Sequence, residues 1–170
     1  MNNQRLLFAL VILAVSLLSC TPGRAQAISK QDVLNLLESD RKAQESKDAD
    51  AVWNNIGKDA LLKVIVDIST GRQIVSLNRD HYRMNLKKIY PLIRENRIQR
   101  KNLKITIAPD GTKGVATYTI VQTISTYLRA EGDYGGSGSE EAYERATVGR
   151  ENGKLVFLGI EDSLQQPFSN

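Results

Sequence analysis

His81 is the single histidine of the chain and directly follows Asp80. A histidine beside a carboxylate can act as a general base whose ring the carboxylate orients. Neighbours in sequence do not share a helix face, however, so a partly exposed surface histidine is the plainer reading. A transition-metal site needs several converging ligands. With one histidine and one cysteine, Cys20, none is expected, and no cofactor motif is present. Trp53, Tyr82, Tyr118 and Tyr127 are the candidate lining of an apolar ligand pocket, because aromatic side chains often wall such cavities. Core filling is the alternative for each of them.

From Arg79 to Lys104 basic residues far outnumber Asp80 and Glu95. Arg83, Lys87, Lys88, Arg94, Arg97, Arg100 and Lys101 are candidates for an anion-binding face, directed at acidic lipid, an envelope polymer or an acidic partner. A solvated helix face followed by a loop is the alternative. The stretch from Glu131 to Glu144 is glycine-rich but acidic. It lacks the lysine and the strand-to-helix setting of a phosphate loop, so a hairpin loop is expected.

Cys20 has its own chemistry. Leu6 to Leu18 is an apolar run broken only by Ser16, preceded by Arg5. This is the pattern of a secretory signal, and the run is short for a transmembrane helix. Leu17-Leu18-Ser19-Cys20 resembles the bacterial lipobox, in which cleavage leaves an N-terminal cysteine that is lipidated. Ala25-Gln26-Ala27 offers an alternative signal-peptidase site after residue 27. The expected organisation is a signal peptide over 1–19, a tether over 20–27, one domain over 28–163 and a flexible tail over 164–170. The expected location is the cell envelope, lipid-anchored to a membrane through Cys20, or soluble in the periplasm or medium if cleavage falls after residue 27.

Composition bounds the rest. The 170 residues are 41% hydrophobic and 25% charged, the balance of a folded globular domain. The net charge is +4, of which Arg5 and Arg24 in the leader supply two. The remainder is too balanced to argue for nucleic acid, and export disfavours it as a partner. A lone cysteine excludes an internal disulfide.

These side chains need elements to position them. Ser29 and Asp32 form a capping-box pattern, and Val33, Leu36, Leu37 and Ala43 follow at helical spacing. Asp48 caps a second, short helix that Gly57 is expected to end. Leu62, Val64, Val66 and Ile68 alternate as a strand, and Ser69-Thr70-Gly71 marks a turn. A helix is expected from Leu77 to about Ile93, ended or kinked by Pro91. Leu103–Ile107 and Val115–Thr126 read as a hairpin around Pro109-Asp110-Gly111-Thr112. A second hairpin joins Tyr143–Gly149 to Leu155–Asp162 through Asn152-Gly153. Helices on one face of a curved antiparallel sheet make an α+β domain.

Three segments then carry a resemblance: Ser46-Lys47-Asp48-Ala49-Asp50-Ala51-Val52-Trp53, Lys58-Asp59-Ala60-Leu61-Leu62, and Val148 through Leu155. In order and spacing the chain resembles the nuclear transport factor 2-like superfamily, which includes ketosteroid isomerase-like and SnoaL-like proteins. The resemblance implies a cone-shaped sheet with the N-terminal helices on its concave face, around a pocket. Isomerase-like members use a tyrosine on the first helix and a carboxylate on the first strand. Those positions fall near Asp40 and Val64, neither of which can play that role. Asp67 is the nearby substitute, with the wrong strand parity. The leading expectation is therefore a non-catalytic domain that binds a small apolar ligand or a protein partner, possible as a homodimer. An isomerase- or dehydratase-like enzyme with a divergent site around Asp40, Asp67 or His81 is the second, and an envelope assembly module with a basic membrane-facing surface the third. A strongly perturbed carboxylate in a roomy pocket would favour the enzyme.

Overall fold

The computed structural model describes residues 26–68, 71–127 and 136–165. The expected signal peptide, Cys20 and the end of the expected tail lie outside the described residues.

Helix α1 spans Lys30–Glu45. The capping box forms: Ser29 Oγ accepts from the Asp32 amide at 3.1 Å, and Asp32 Oδ2 accepts from the Ser29 amide at 2.9 Å. Its buried face is Val33, Leu36, Leu37, Asp40 and Ala43, one carboxylate within an apolar stripe. Helix α2 spans Ala49–Asn54, capped by Asp48. It stops at Asn55 rather than at Gly57, which already belongs to strand β1 (Ile56–Ile68). Side-chain and backbone atoms crowd Gly57 there, the Phe157 carbonyl oxygen lying 3.1 Å from where a Cβ would stand. A Cβ on Gly57 would lie 2.4 Å from Glu151 Oε1, and that carboxylate's other oxygen accepts from the Lys58 amide.

Strand β2 covers Gly71–Asn78 and pairs antiparallel with β1. Its residues were expected in part to belong to a helix. The helix, α3, starts only at Arg79, where the Asn78 side chain caps it, and ends at Ile89. Pro91 then sits in a 3₁₀ turn, Tyr90–Leu92, rather than within the helix. Strands β3 (Ile93–Ile107), β4 (Lys113–Thr126), β5 (Ser137–Glu151) and β6 (Lys154–Gln165) complete the chain. Asn152 and Gly153 both have positive φ, 50° and 79°, as their hairpin requires. β6 runs past residue 163 to Gln165.

The six strands form one curved sheet in the order β2-β1-β6-β5-β4-β3. It is mixed rather than wholly antiparallel, because β1 and β6 pair in parallel. β-Bulges interrupt β3 between Lys101 and Lys104 and the β5–β6 ladder at Thr147–Val148. Such bulges bend strands and sharpen twist. α1 packs mainly on β3, and α3 on α2 and β1. The core they close is Val33, Leu36, Leu37, Val52, Ile56, Leu62, Ala116, Ala146, Val148 and Phe157.

Candidate functional site

Register places the site. Tyr118 on β4 lies opposite Glu144 on β5, Glu144 opposite Asp162 on β6, and Asp162 beside Val64 on β1. Directly opposed residues share a face with Cβ atoms about 5 Å apart, so these four form one row across the sheet. The row on one side is Ala116, Ala146, Ile160 and Leu62; the row on the other is Ile120, Ala142, Leu164 and Val66. A polar row thus runs between two apolar ones.

Above it lies an enclosed cavity of about 180 Å³. Its apolar wall includes Leu62, Val64, Leu77, Ile120, Ile160 and Leu164. Its polar lining is Asp40, Gln44, Lys63, Tyr82, Gln122, Glu140, Glu144 and Asp162. A larger, open depression of about 550 Å³ lies on the surface near Asp48, Asp50, Lys87 and Tyr90. There Asp50 is already paired with Arg83 and Lys87. The carboxyl groups that burial perturbs face the enclosed cavity, which is therefore the candidate site.

Glu144 is 7% exposed. The Tyr118 hydroxyl donates to its Oε1. Burial pushes its carboxyl well above the ordinary value, and the facing Asp162 adds to the effect. Burial also raises Asp162, against the hydrogen bond it receives from Glu144. Oδ1 of Asp162 is buried without a donor among the described residues. A carboxylic proton held between Glu144 and Asp162 supplies that donor. Two facing carboxyl groups in a poorly solvated site resist ionising together, so the pair keeps a proton well above the ordinary glutamate value.

Asp40 is 4% exposed and accepts from Arg100 at 3.0 Å and from Gln44 at 2.7 Å. Burial raises its pKa against the pull of Arg100. The Arg100 guanidinium also donates to the Leu37 carbonyl at 2.9 Å and lies 5.1 Å from the Tyr118 ring centroid. Tyr82 reaches the cavity from α3. No hydrogen bond among the described residues engages its hydroxyl. Burial first, and the nearby carboxylates next, hold the phenol well above its ordinary pKa. It is a neutral donor awaiting an acceptor. Among the described residues no His, Cys, Asp and Glu grouping suits a metal ion.

Of the four aromatic candidates, Tyr82 lines the cavity, and Tyr118 supports its floor through Glu144. Trp53 packs away from it, under the Arg79 guanidinium at 3.5 Å, with its Nε1 donating to Asp80. Tyr127 is 55% exposed. The basic candidates separate. Arg83 and Lys87 pair with Asp50, and Arg97 with Glu95. Lys88, Arg94 and Lys101 are exposed. Arg100 does not lie on a basic surface at all: it turns inward to Asp40, because it shares the inward parity of β3 with the buried Asn96 and Ile98. His81 is exposed, and the Asp67 side chain lies outside the described residues. Val64 lines the cavity as a valine, and its ladder neighbour Asp162 brings the carboxylate that Val64 lacks.

The sequence points to Glu144 and Asp162 through parity alone. Each interrupts an apolar alternation, Ala142-Glu144-Ala146 and Ile160-Asp162-Leu164. Neither was singled out from the sequence.

No protein-family model matches the chain, and no curated protein matches it in sequence. Solved structures do match in shape. A candidate scytalone dehydratase from Novosphingobium aromaticivorans aligns with a TM-score of 0.62 at 12% identity, over 80% of this chain and 83% of its own. A nuclear transport factor 2-like superfamily protein from Salmonella enterica serovar Typhimurium aligns with a TM-score of 0.62 at 11% identity, over 82% and 93%. A candidate dehydratase of the same family from Streptomyces avermitilis gives 0.58 at 12%, over 79% and 94%. At this identity the likeness carries the fold, and the fold is that of the nuclear transport factor 2-like proteins.

Proposed function

We propose that the cavity binds a small, largely apolar molecule and moves a proton on it, as an isomerase or dehydratase does. The observation that carries this reading is the Glu144–Asp162 pair: two facing carboxyl groups, both held up by burial, at the floor of a cavity. Perturbed carboxyl groups in a cleft are the mark of acid–base sites. Asp162, the more accessible of the two, takes a proton from the ligand. Glu144 shares its proton with Asp162 and is held in place by Tyr118. The Tyr82 hydroxyl donates to a ligand oxygen, where negative charge develops as the proton leaves. Arg100 balances Asp40 and is a positioning residue. An apolar cavity of about 150 Å³ holds one benzene-sized molecule, so the ligand is one ring with few substituents. Drug-sized ligands need roughly 300 Å³ or more.

The test is α-proton exchange of cyclohexanone in heavy water, followed by proton NMR. The protein should exceed an equal concentration of acetate by at least about 100-fold, the usual worth of a positioned general base. Asp162→Asn should remove most of that gain, and Tyr82→Phe should lower it about tenfold while leaving stability within about 0.5 kcal/mol. An exchange rate no faster than acetate would sink the catalytic reading. Binding without exchange would return the domain to a non-catalytic ligand carrier.

We also propose that the domain acts outside the cytoplasm, held at a membrane through Cys20. The apolar run and Leu17-Leu18-Ser19-Cys20 support this reading. Radiolabelled fatty acid fed to expressing bacteria should label the protein, and Cys20→Ala should abolish the label; persistent labelling would overturn the assignment.

A further inference from the structure

We infer that the ligand of this cavity is a small organic cation: one ring bearing a protonated amine, which enters along the Glu140 edge. The inference rests on the cavity being the ligand site and adds the charge of what it holds.

The charges facing the cavity come from five strands and helices. Asp40 on α1 is balanced by Arg100 on β3, whose guanidinium is committed to that carboxylate and to the Leu37 carbonyl. Glu144 on β5 and Asp162 on β6 share one proton and so keep one negative charge between them. Glu140, two turns of the pleat before Glu144, lines the exposed end of the cavity. It makes no ion pair among the described residues. Lys63 on β1 is the cation among the lining residues, and Glu161 on β6 holds its Nζ at 3.4 Å. About two negative charges therefore face the cavity with no uncommitted cation beside them.

A carboxylate ligand would lose its water in a site that repels it, the most effective way a pocket rejects a wrong partner. A neutral ring would fill the apolar wall but leave the negative charge uncompensated. An ammonium group beside Glu140 compensates it, while the ring packs on Ile120, Ile160 and Leu164. Focusing by low-dielectric walls strengthens the preference. Asp162, between Ile160 and Leu164, then lies beneath the ring, and Tyr82 faces the same cavity.

Three matched one-ring probes separate charge from shape: benzylamine, benzyl alcohol and benzoate. Each is titrated into the full-length protein at neutral pH and low salt, with methyl NMR read at Leu62, Ile120 and Ile160. Benzylamine should bind at least about tenfold more tightly than benzyl alcohol, a difference of about 1.4 kcal/mol, and benzoate should not bind. Glu140→Gln, at an exposed position, should cut the preference severalfold, and Glu140→Lys should remove it. Equal affinity for the amine and the alcohol would overturn the inference and leave the cavity as the site. Amine binding that leaves those three methyl groups unmoved would also overturn it. Failure of all three probes to bind would overturn the cavity reading, and this inference with it.

Discussion

Replacing Glu144 by glutamine tests the shared proton without touching shape. In the native state the proton stays on the Glu144–Asp162 pair well above 4.5, the ordinary glutamate value, whereas in the unfolded chain both groups lose their protons near their ordinary values. Between those limits the folded state binds about one proton more than the unfolded state. Stability then falls as pH rises, by about 1.4 kcal/mol per pH unit for one proton. The contribution is fully present below the ordinary carboxylate values and is lost as pH climbs through the raised native one. Glutamine at 144 still accepts from Tyr118 and donates to Asp162 permanently, so the slope shrinks to the part that the burial of Asp162 itself supplies. The other groups facing Glu144 are Tyr118, Tyr82, Asp40, Arg100 and Glu140; all are unchanged in the variant. The lowered carboxylates at the surface, such as Asp32 and Asp50, act in the opposite sense and only at pH below their ordinary values. Urea unfolding of both proteins, read by Trp53 fluorescence from about pH 5 to about pH 7, should show the variant gaining on the wild type. If the native pair keeps its proton to about pH 7, the gain reaches about 2 to 3 kcal/mol. Parallel stability profiles would refute the shared proton.

Two further outcomes follow from the packing. Arg100→Met leaves Asp40 buried without its cation and should cost about 3 to 5 kcal/mol in urea unfolding, whereas Asp40→Asn combined with Arg100→Met should recover much of that loss. If the double variant is as unstable as the single one, Arg100 stabilises by packing and not by pairing. Ser29→Ala removes the side-chain half of the α1 capping box and should lower stability by about 1 kcal/mol, a fall of a few degrees in Tm by calorimetry.

What could be read from the sequence was local. The Ser29–Asp32 capping box, the Asp48 cap and the Asn152-Gly153 turn each act within a few residues, and each forms as expected. β2 was missed because it has no amphipathic alternation to find: Ile74 and Val75, adjacent and on opposite faces, are both exposed. The parallel pairing of β1 with β6 was not legible either, since the partners lie about a hundred residues apart and no turn chemistry joins them. The site divides in the same way. Asp40 could be seen as a carboxylate in the apolar stripe of α1, three residues from Leu37 and three from Ala43. Glu144 and Asp162 break the parity of their strands. Their meeting depends on the register of β5 against β6, and a shift of one residue would turn Glu144 outward. Arg100 was read as surface charge because its strand is polar along most of its length; only the fold shows that it turns in.

The polar row also argues against folding as its reason for existing. The rows beside it are built from alanine, isoleucine, leucine and valine, and several of their residues join the hydrophobic core. Leucine or methionine at 144 and 162 would continue them and would avoid the cost of desolvating two carboxyl groups. Tyr118 would lose a partner, but a phenol needs one acceptor and not a pair of acids. Glu144 and Asp162 therefore cost stability at neutral pH, in a polar row that crosses the cavity between two apolar ones. Residues that cost stability where a ligand could reach them are explained by what they do to that ligand. The same reasoning separates Asp40 from them: Arg100 and Gln44 satisfy its carboxylate, so it shapes the cavity wall, and the proposed chemistry is assigned to the Glu144–Asp162 pair.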